Sequence, residues 1–370
     1  DWSSDVCSSD LVQSFANDTV GSLGQEWGKH LDQLEYYRGH QMIGLRTGIE
    51  QLDNRTLGLR GTTLLGAMPG VGKTALATQI AVGICQHHET NDAAVVIVSL
   101  DMDRDAIMDR IHCNLAGLEW ATLKFGSREL RNNDEPPWFN PGHQMALDTA
   151  EDRLVEWEIG TRMLIHDRST LGDNITTNRL VALTRNFKEQ VGASRALLIF
   201  DYLQLLPLSS QVAGGSDLEA DRYRIRVIQD FVTQSKTAEN PDGDAVLAIT
   251  EARKPSSAKE GWGQALSELM GSARLGYAPD AVLLYRPMNA KDVRTHYTNI
   301  DDDAVAEIRL RVLEQDGRAP IVLTLAKGRD GMSRGEWCME FHFRRSGFED
   351  LEPCSVEGVY PCVPPPSGMT

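Results

Sequence analysis

Short apolar runs alternate with stretches of helical periodicity through the middle of the chain. The apolar runs cover residues 62–65, 93–100, 196–200, 245–249, 281–285 and 321–326. Most of these runs are continuously apolar, as is typical of strands buried on both faces of a parallel sheet. Between them, the spacing of apolar residues predicts helices over 74–86, 104–115 and 221–237. This order predicts an α/β fold with a mostly parallel central sheet flanked by helices.

Four segments break the alternation of strand and helix. Residues 308–312 alternate between apolar and arginine side chains, which predicts a half-exposed antiparallel edge strand. Residues 117–160 are interrupted by prolines, and residues 207–220 are rich in serine and glycine. The proline-rich residues 351–370 are predicted to form a disordered tail.

The first part of the chain differs in character from the rest. Residues 1–11 resemble the translation of a sequencing-library adapter, so we expect them to be an artefact; the alternative is a native serine-rich tail. A helix is predicted over 25–38, with one apolar stripe that cannot form a core alone. The stripe consists of Trp27, Leu31 and Leu34. We expect residues 12–43 to be a linker left from a longer N-terminal region, whose helix docks on the main domain or on a neighbouring subunit.

Composition narrows the functional classes. Hydrophobic residues make up 41% and charged residues 24% of the 370 residues, which excludes wholesale disorder. No apolar run approaches the roughly 18 residues of a membrane helix, and the cysteines lack Cys-x-x-Cys spacing. We therefore expect a cytoplasmic protein without a membrane segment, a zinc site or a disulfide scaffold. The net charge of −16 argues against a generally basic coat, but it permits a locally basic groove that binds nucleic acid.

The strongest chemical motif is Ala67–Thr74, between a predicted strand and a predicted helix. It matches a phosphate-binding P-loop, except that alanine stands at the first glycine position. Gly70 and Gly72 let backbone N–H groups face phosphate oxygens. Lys73 would reach the β- and γ-phosphates, and Thr74 would ligate Mg²⁺. The alternative, a glycine-rich turn that binds nothing, is disfavoured by the flanking elements. The predicted nucleotide contacts are Pro69, Gly70, Val71, Gly72, Lys73, Thr74 and Ala75.

A second candidate residue is Asp201, which ends the apolar strand over 196–200. At the carboxyl edge of a parallel sheet, such a carboxylate lies beside the P-loop and holds the metal ion through water. Alone, an acid after a strand is more often a helix cap. Because a P-loop precedes it in the chain, Asp201 is predicted to be a metal ligand together with Thr74.

Five motifs follow one another in an order known from one protein family. They are Thr47-Gly48-Ile49 with Leu52-Asp53, the P-loop, Ser99-Leu100-Asp101-Met102, Asp201-Tyr202-Leu203-Gln204 and Lys327-Gly328-Arg329-Asp330-Gly331. Over roughly residues 44–350 they resemble the C-terminal ATPase domain of DnaB-type hexameric replicative helicases. The resemblance implies a RecA-like P-loop NTPase fold with antiparallel edge strands, and ATP and Mg²⁺ as cofactors.

Two acids stand where the family carries different residues. Asp101 replaces the glutamate that activates the attacking water, and it is shorter by one methylene group. The alternative is that Asp101, or equally Asp103, caps the helix over 104–115. Glu251 replaces a glutamine that senses the γ-phosphate, where a carboxylate is repelled unless it is protonated or metal-bound.

Lys327 and Arg329 follow the apolar run over 321–326. The resemblance implies that both reach the γ-phosphate held by the adjacent subunit, as an arginine finger supplied in trans. Spacing alone would make them a solvated strand edge.

The family holds single-stranded DNA with two loops, which correspond here to residues 207–220 and 252–276. Met270 stands at the family's phosphate-contacting arginine, and Arg274 lies four residues further on. For each of these side chains a solvated loop residue is an equal alternative. The candidate DNA contacts are Arg253, Lys254, Lys259, Gly271, Ser272 and Arg274.

The resemblance implies an ATP-dependent DNA helicase that forms a ring of six copies and unwinds duplex DNA during replication. Its implied partners are single-stranded DNA, other copies of the chain, and a primase or helicase loader. A KaiC- or recombinase-like ATPase and an ATP-binding ring scaffold with weak hydrolysis are the alternatives, because fold does not settle function.

Overall fold

A nine-stranded sheet forms the centre of the computed structural model. The strands are β1 Thr62–Ala67, β2 Ala93–Ser99, β3 Met163–Asp167, β4 Arg195–Asp201, β5 Ala245–Glu251, β6 Ala281–Pro287, β7 Arg318–Gly328, β8 Gly335–His342 and β9 Gly347–Asp350. Their order in the sheet is β3-β2-β4-β5-β1-β6-β7-β8-β9. The strands from β3 to β6 in this order pair in parallel, and β7, β8 and β9 pair antiparallel. The predicted mostly parallel sheet with antiparallel edge strands is confirmed.

The structure describes most of the chain, in two compact units. The described residues are 23–38, 42–127, 139–172, 175–209, 212, 214–237, 240–252, 276–297, 300 and 302–351. The first unit, residues 1–43, contributes helix α1, Leu23–Arg38, which confirms the predicted helix. Trp27 and Leu31 of α1 are both about half exposed. The second unit, residues 44–370, contains the sheet.

Helices cover both faces of the sheet. They are α2 Glu50–Thr56, α3 Lys73–Gln86, α4 His88–Asn91, α5 Arg104–Ala116, α6 Trp120–Phe125, α7 Pro141–Glu156, α8 Ile159–Arg162, α9 Arg168–Leu171, α10 Thr177–Val191, α11 Asp217–Gln234, α12 Ala290–His296 and α13 Asp303–Gln315, with a 3₁₀ turn at Leu203–Leu205. No helix among the described residues is long and apolar enough to cross a membrane.

Two apolar layers, one on each face, hold these helices to the sheet. On one face, Leu76 and Ile80 of α3 pack into the same cluster as Ile199 of β4. On the other face, Phe231 of α11 packs into a cluster with Phe200 of β4. Successive residues of a strand point to opposite faces, so Asp201 points to the same face as Ile199. The strand alternation therefore directs the carboxylate of Asp201 toward the start of α3.

The predicted edge strand over 308–312 is wrong, because these residues lie in helix α13. Ala306 and Leu313 are fully buried at helical spacing, whereas Ile308 is 59% exposed. The side chain of Asp302 caps the helix by accepting the N–H of Ala304 at 2.6 Å. A five-residue alternation was too short to outweigh this cap and the longer helical spacing.

The two interrupted segments acquire helices. Within 117–160, α6, α7 and α8 form, and Arg153 of α7 donates to the carbonyl of Leu115 at 2.6 Å, which fixes α7 against α5. Within 207–220, the last four residues are the first turn of α11, so the loop is shorter than predicted. The interpretations of residues 1–11 and 352–370 lie outside the described residues.

Candidate nucleotide-binding site

The P-loop joins the end of β1 to the start of α3, as predicted. Gly70 and Gly72 adopt positive φ angles of 79° and 93°. A Cβ atom at Gly72 would lie 2.5 Å from the ring of Phe341, so only glycine fits between the loop and this ring. At Gly70 the space beyond the backbone is open within 4 Å. The loop is therefore fixed at Gly72 and open at Gly70, where a phosphate can approach.

Lys73 lies at the start of α3 and folds back over the loop. Its Nζ donates to the carbonyl oxygens of Ala67 and Met68, at 3.1 and 3.0 Å. Burial lowers the pKa of Lys73, and the negative charges of Glu251, Asp201 and Asp101 oppose this lowering. The structure thus brings one half-buried cation and three carboxylates within electrostatic range of one another.

Thr74 and Asp201 supply oxygen atoms in direct contact. The hydroxyl of Thr74 donates to Oδ2 of Asp201 at 2.7 Å. Burial raises the pKa of Asp201, and the hydrogen bond from Thr74 partly opposes the rise. A hydroxyl and a carboxylate are hard oxygen ligands of the kind that Mg²⁺ prefers, and Mg²⁺ normally keeps only one or two protein ligands beside a nucleotide. The residues present fit the predicted metal.

The sheet register explains why the carboxylates meet. Ser99 of β2 lies opposite Asp201 of β4, and Ala67 of β1 lies opposite Glu251 of β5. The carboxyl ends of parallel strands lie on the same side of the sheet, so Asp101, two residues beyond Ser99, lies on the same side as the P-loop. In the described part of the chain, no group of three or more His, Cys, Asp or Glu side chains could hold a metal alone.

Asp101 lies in an exposed turn and does not cap the following helix. The turn is held by Ser99, whose hydroxyl donates to the carbonyl of Met102 at 2.7 Å. Asp103, not Asp101, occupies the N-cap position of α5. The N–H of Arg104 instead donates to Asp167 at 3.2 Å. The helix-cap alternative for Asp101 is wrong.

Lys327 and Arg329 lie at the opposite end of the strands from the P-loop. Gly328 pairs with Ala281 of β6, and Ala281 pairs with Thr63, near the start of β1. The P-loop follows the end of β1, and a strand of this length spans roughly 17–20 Å. Side chains at this end of the strands are therefore too far away to serve the P-loop of their own chain.

The two basic side chains differ in exposure. Lys327 is 9% exposed and donates to the carbonyl oxygens of Tyr277 and Pro279. Burial, assisted by the neighbouring charge of Arg329, lowers the pKa of Lys327 to about 8. Arg329 is about half exposed and pairs with Asp280 at 3.1 Å. Only Arg329 of the pair presents its charge to the surface.

A family model shows which protein family the chain belongs to. The family model for the DnaB-like helicase C terminal domain matches residues 44–350. The chain belongs to this family. The resemblance inferred from the motifs is thereby confirmed, and the non-helicase RecA-family alternatives lose support.

Known members of the DnaB-like family align with part of the chain. The replicative DNA helicase DnaB of Buchnera aphidicola subsp. Baizongia pistaciae is 31% identical over 186 residues, or 50% of this chain and 35% of the relative. The replicative DNA helicase DnaB of Pasteurella multocida is 29% identical over 185 residues, or 48% and 35%. The chain thus spans about a third of the length of these relatives.

Solved structures confirm the RecA-like fold of this DnaB-like domain. One, an isolated ATPase domain, superposes with a TM-score of 0.63 and 21% identity, covering 90% of this chain and 99% of that one. A DnaB-like replicative helicase, described with its interactions with primase, gives the same TM-score and identity, covering 93% and 71%.

Sequence reasoning missed side chains that support this DnaB-like site. The charge of Arg110 on α5 opposes the rise that burial causes in the pKa of Asp201. Gln204 donates to the hydroxyl of Thr250 at 2.6 Å, which ties the turn after β4 to the end of β5. Gln204 belongs to the motif Asp201-Tyr202-Leu203-Gln204, but Arg110 and Thr250 belong to no motif that could have indicated them. The six candidate DNA contacts, from Arg253 to Arg274, lie outside the described residues.

Proposed function

We propose that this chain is the motor domain of a ring-shaped replicative helicase. It hydrolyses ATP at the interfaces of six subunits, moves along single-stranded DNA and separates the duplex. One observation carries the proposal: the P-loop lysine and the Thr74–Asp201 pair are assembled at one sheet edge in a chain of the DnaB-like family. Lys327 and Arg329 support assembly into a ring, because they lie at the opposite end of the strands and cannot serve the P-loop of their own chain.

Nucleotide and metal are held by the loop and the strand end. The backbone N–H groups of the loop bind the phosphates, and Lys73 pairs with the β- and γ-phosphates. Thr74 and Asp201 would hold Mg²⁺. Bound Mg²⁺ neutralises charge on the phosphate oxygens. The contacting segment is Pro69, Gly70, Val71, Gly72, Lys73, Thr74 and Ala75.

Hydrolysis uses acids of the same chain and cations of the next. Asp101, exposed at the sheet edge, orients the attacking water and accepts its proton. Glu251 ends the neighbouring strand within electrostatic range of Lys73, where it responds to the charge of the γ-phosphate. Arg329, with Lys327 behind it, approaches the γ-phosphate of the adjacent subunit and stabilises charge there.

Single-stranded DNA passes through the ring along the basic residues of 253–274. Its phosphates are contacted by Arg253, Lys254, Lys259 and Arg274 and by backbone N–H groups at Gly271 and Ser272. A primase or a helicase loader is the expected protein partner. The solved relative described with its interactions with primase supports the former.

Steady-state ATP hydrolysis by the 370-residue chain, with and without single-stranded DNA, tests the proposal. We expect hydrolysis to be stimulated by DNA, and the stimulation to weaken as salt concentration rises, because phosphate contacts release counterions. Hydrolysis that is indifferent to DNA would contradict the motor and favour a RecA-family ATPase without a DNA track. Tight ATP binding without turnover would favour a scaffold.

Lengthening the acid at position 101 tests its role directly. We expect Asp101→Glu to raise kcat for ATP hydrolysis roughly three- to thirtyfold, because one methylene group moves the carboxylate closer to the water. The matched control is Asp103→Glu, the same change two residues further along, and it should leave kcat unchanged. Equal rates for Asp101→Glu and the unmodified chain would contradict the assignment of Asp101 as a base whose shorter side chain limits turnover.

A further inference from the structure

The carboxylate of Asp280 joins two parts of the molecule that are distant in sequence. Its Oδ1 accepts from Nη1 of Arg329 at 3.1 Å. Its Oδ2 accepts from the backbone N–H and the hydroxyl of Thr62, both at 2.9 Å. The backbone N–H of Arg329 also donates to the carbonyl of Asp280 at 3.1 Å. Asp280 therefore ties the exposed arginine to the first residue of β1.

The position of Asp280 is closely confined. Thr62 is only 2% exposed and belongs to the central sheet. A Cβ atom at Gly61 would lie 2.4 Å from Oδ2 of Asp280, so the carboxylate is packed against the backbone as well as bonded to it. A carboxylate fixed in this way gives Arg329 a rigid partner, although the arginine side chain itself is about half exposed.

The remaining contacts of Arg329 leave part of the guanidinium for another ligand. Nη2 of Arg329 donates to the carbonyl of Tyr277 at 3.2 Å. The same carbonyl accepts from Lys327, which thus supports the segment from behind. A guanidinium carries five N–H donors, and the contacts with Asp280 and Tyr277 use one from each terminal nitrogen. The group is held in one orientation and still has donors for a phosphate.

We propose that Asp280 is a positioning residue for Arg329, holding its guanidinium in the orientation that meets the γ-phosphate of the adjacent subunit. This inference rests on the proposed function, because it requires that Arg329 acts across the subunit boundary. A long arginine side chain that is oriented in advance needs no reordering during each reaction. Asp280 acts only through Arg329 and does not touch the nucleotide.

Asp280→Asn is the isosteric test. Its amide oxygen can still accept both bonds from Thr62, which leaves the NH₂ group facing Arg329, where no acceptor remains. We expect kcat for ATP hydrolysis to fall roughly tenfold with KM for ATP nearly unchanged, since nucleotide is bound by the P-loop of another chain. The control is Asp316→Asn, which removes the 3.3 Å pair with Arg318 at the other end of β7 and should leave kcat unchanged.

Mixed rings show whether Asp280 acts in trans. A Lys73→Ala subunit cannot hydrolyse its own ATP but still supplies Arg329 to its neighbour. Mixing it with Asp280→Asn subunits should therefore give more hydrolysis than the two variants measured separately. Arg329→Ala subunits mixed in the same way serve as the reference. A residue needed only for folding would not be complemented by its neighbour.

The outcomes separate the inference from the proposed function. If Arg329→Ala is not complemented by Lys73→Ala, the role of Arg329 in trans fails, and the inference fails with it. If Arg329→Ala is complemented but Asp280→Asn is not, or if Asp280→Asn raises kcat or leaves it unchanged, the inference alone is overturned. Thr62→Val removes the hydroxyl's bond to Oδ2 of Asp280 and its 3.3 Å bond from the backbone N–H of Asp280, but keeps the bonds made by the Thr62 backbone, so it guards against a folding defect; we expect a roughly two- to threefold fall in kcat that is also complemented.

Discussion

Replacing Arg329 by alanine is expected to lower kcat for ATP hydrolysis by about three orders of magnitude, the lower end of the effect of arginine fingers supplied in trans. The expected size follows from its position. Arg329 lies at the opposite end of the strands from the P-loop and is about half exposed. Its guanidinium is held by Asp280 and Tyr277. Charge that develops on the γ-phosphate would then lose the contribution of the adjacent subunit's exposed cation.

Steady-state hydrolysis and ATP binding should be measured together for this variant. We expect ATP affinity to change far less than kcat, because the P-loop of the same chain is intact. Arg318→Ala, at the other end of β7, is the matched control and should retain activity. A loss of kcat below tenfold in Arg329→Ala would contradict the arginine-finger assignment.

The second large effect is expected at the P-loop. Lys73→Ala should reduce hydrolysis by on the order of a hundred- to a thousandfold, the loss typical when one preorganised donor to a developing charge is removed. The cation is placed by its bonds to the carbonyls of Ala67 and Met68, and burial lowers its pKa, so the site holds Lys73 at a cost in solvation. The variant should therefore remain folded.

Urea denaturation beside the activity assay separates the two effects. We expect the midpoint for Lys73→Ala to stay close to that of the unmodified chain, because removing a half-buried cation relieves its desolvation while Glu251, Asp201 and Asp101 lose its compensating charge. Lys124→Ala, which breaks an exposed ion pair with Asp109, is the control for loss of a lysine. Residual hydrolysis above a tenth of the original rate would mean that Lys73 does not serve the phosphates.

The parts of the fold that could be predicted from sequence are those buried on both faces. Strands β2, β4, β5 and β6 appeared as continuous apolar runs because their side chains face apolar helices on both sides. Strand β3, Met163–Asp167, was not predicted, because it lies at the sheet edge and its residues are mostly half-buried. Residues 308–312 of helix α13 were predicted to be a strand, because an alternation of only five residues also occurs within an amphipathic helix.

The candidate site divides in the same way. Lys73, Thr74 and Asp201 could be predicted because the P-loop and the acid at the end of strand β4 are local motifs. Asp280 could not, since its partner Arg329 lies 49 residues further along the chain and a lone acid before a strand is common. The cap alternative for Asp101 was open in the sequence and was resolved only by the turn at Ser99.

Separation of a forked DNA duplex by the 370-residue chain distinguishes a helicase motor from an ATPase that is only stimulated by DNA. We expect the strands to separate only when the fork carries a single-stranded tail and ATP can be hydrolysed, and we expect Lys73→Ala to abolish separation. DNA-stimulated hydrolysis without any strand separation, across a range of duplex lengths, would contradict the assignment of this domain as a helicase motor.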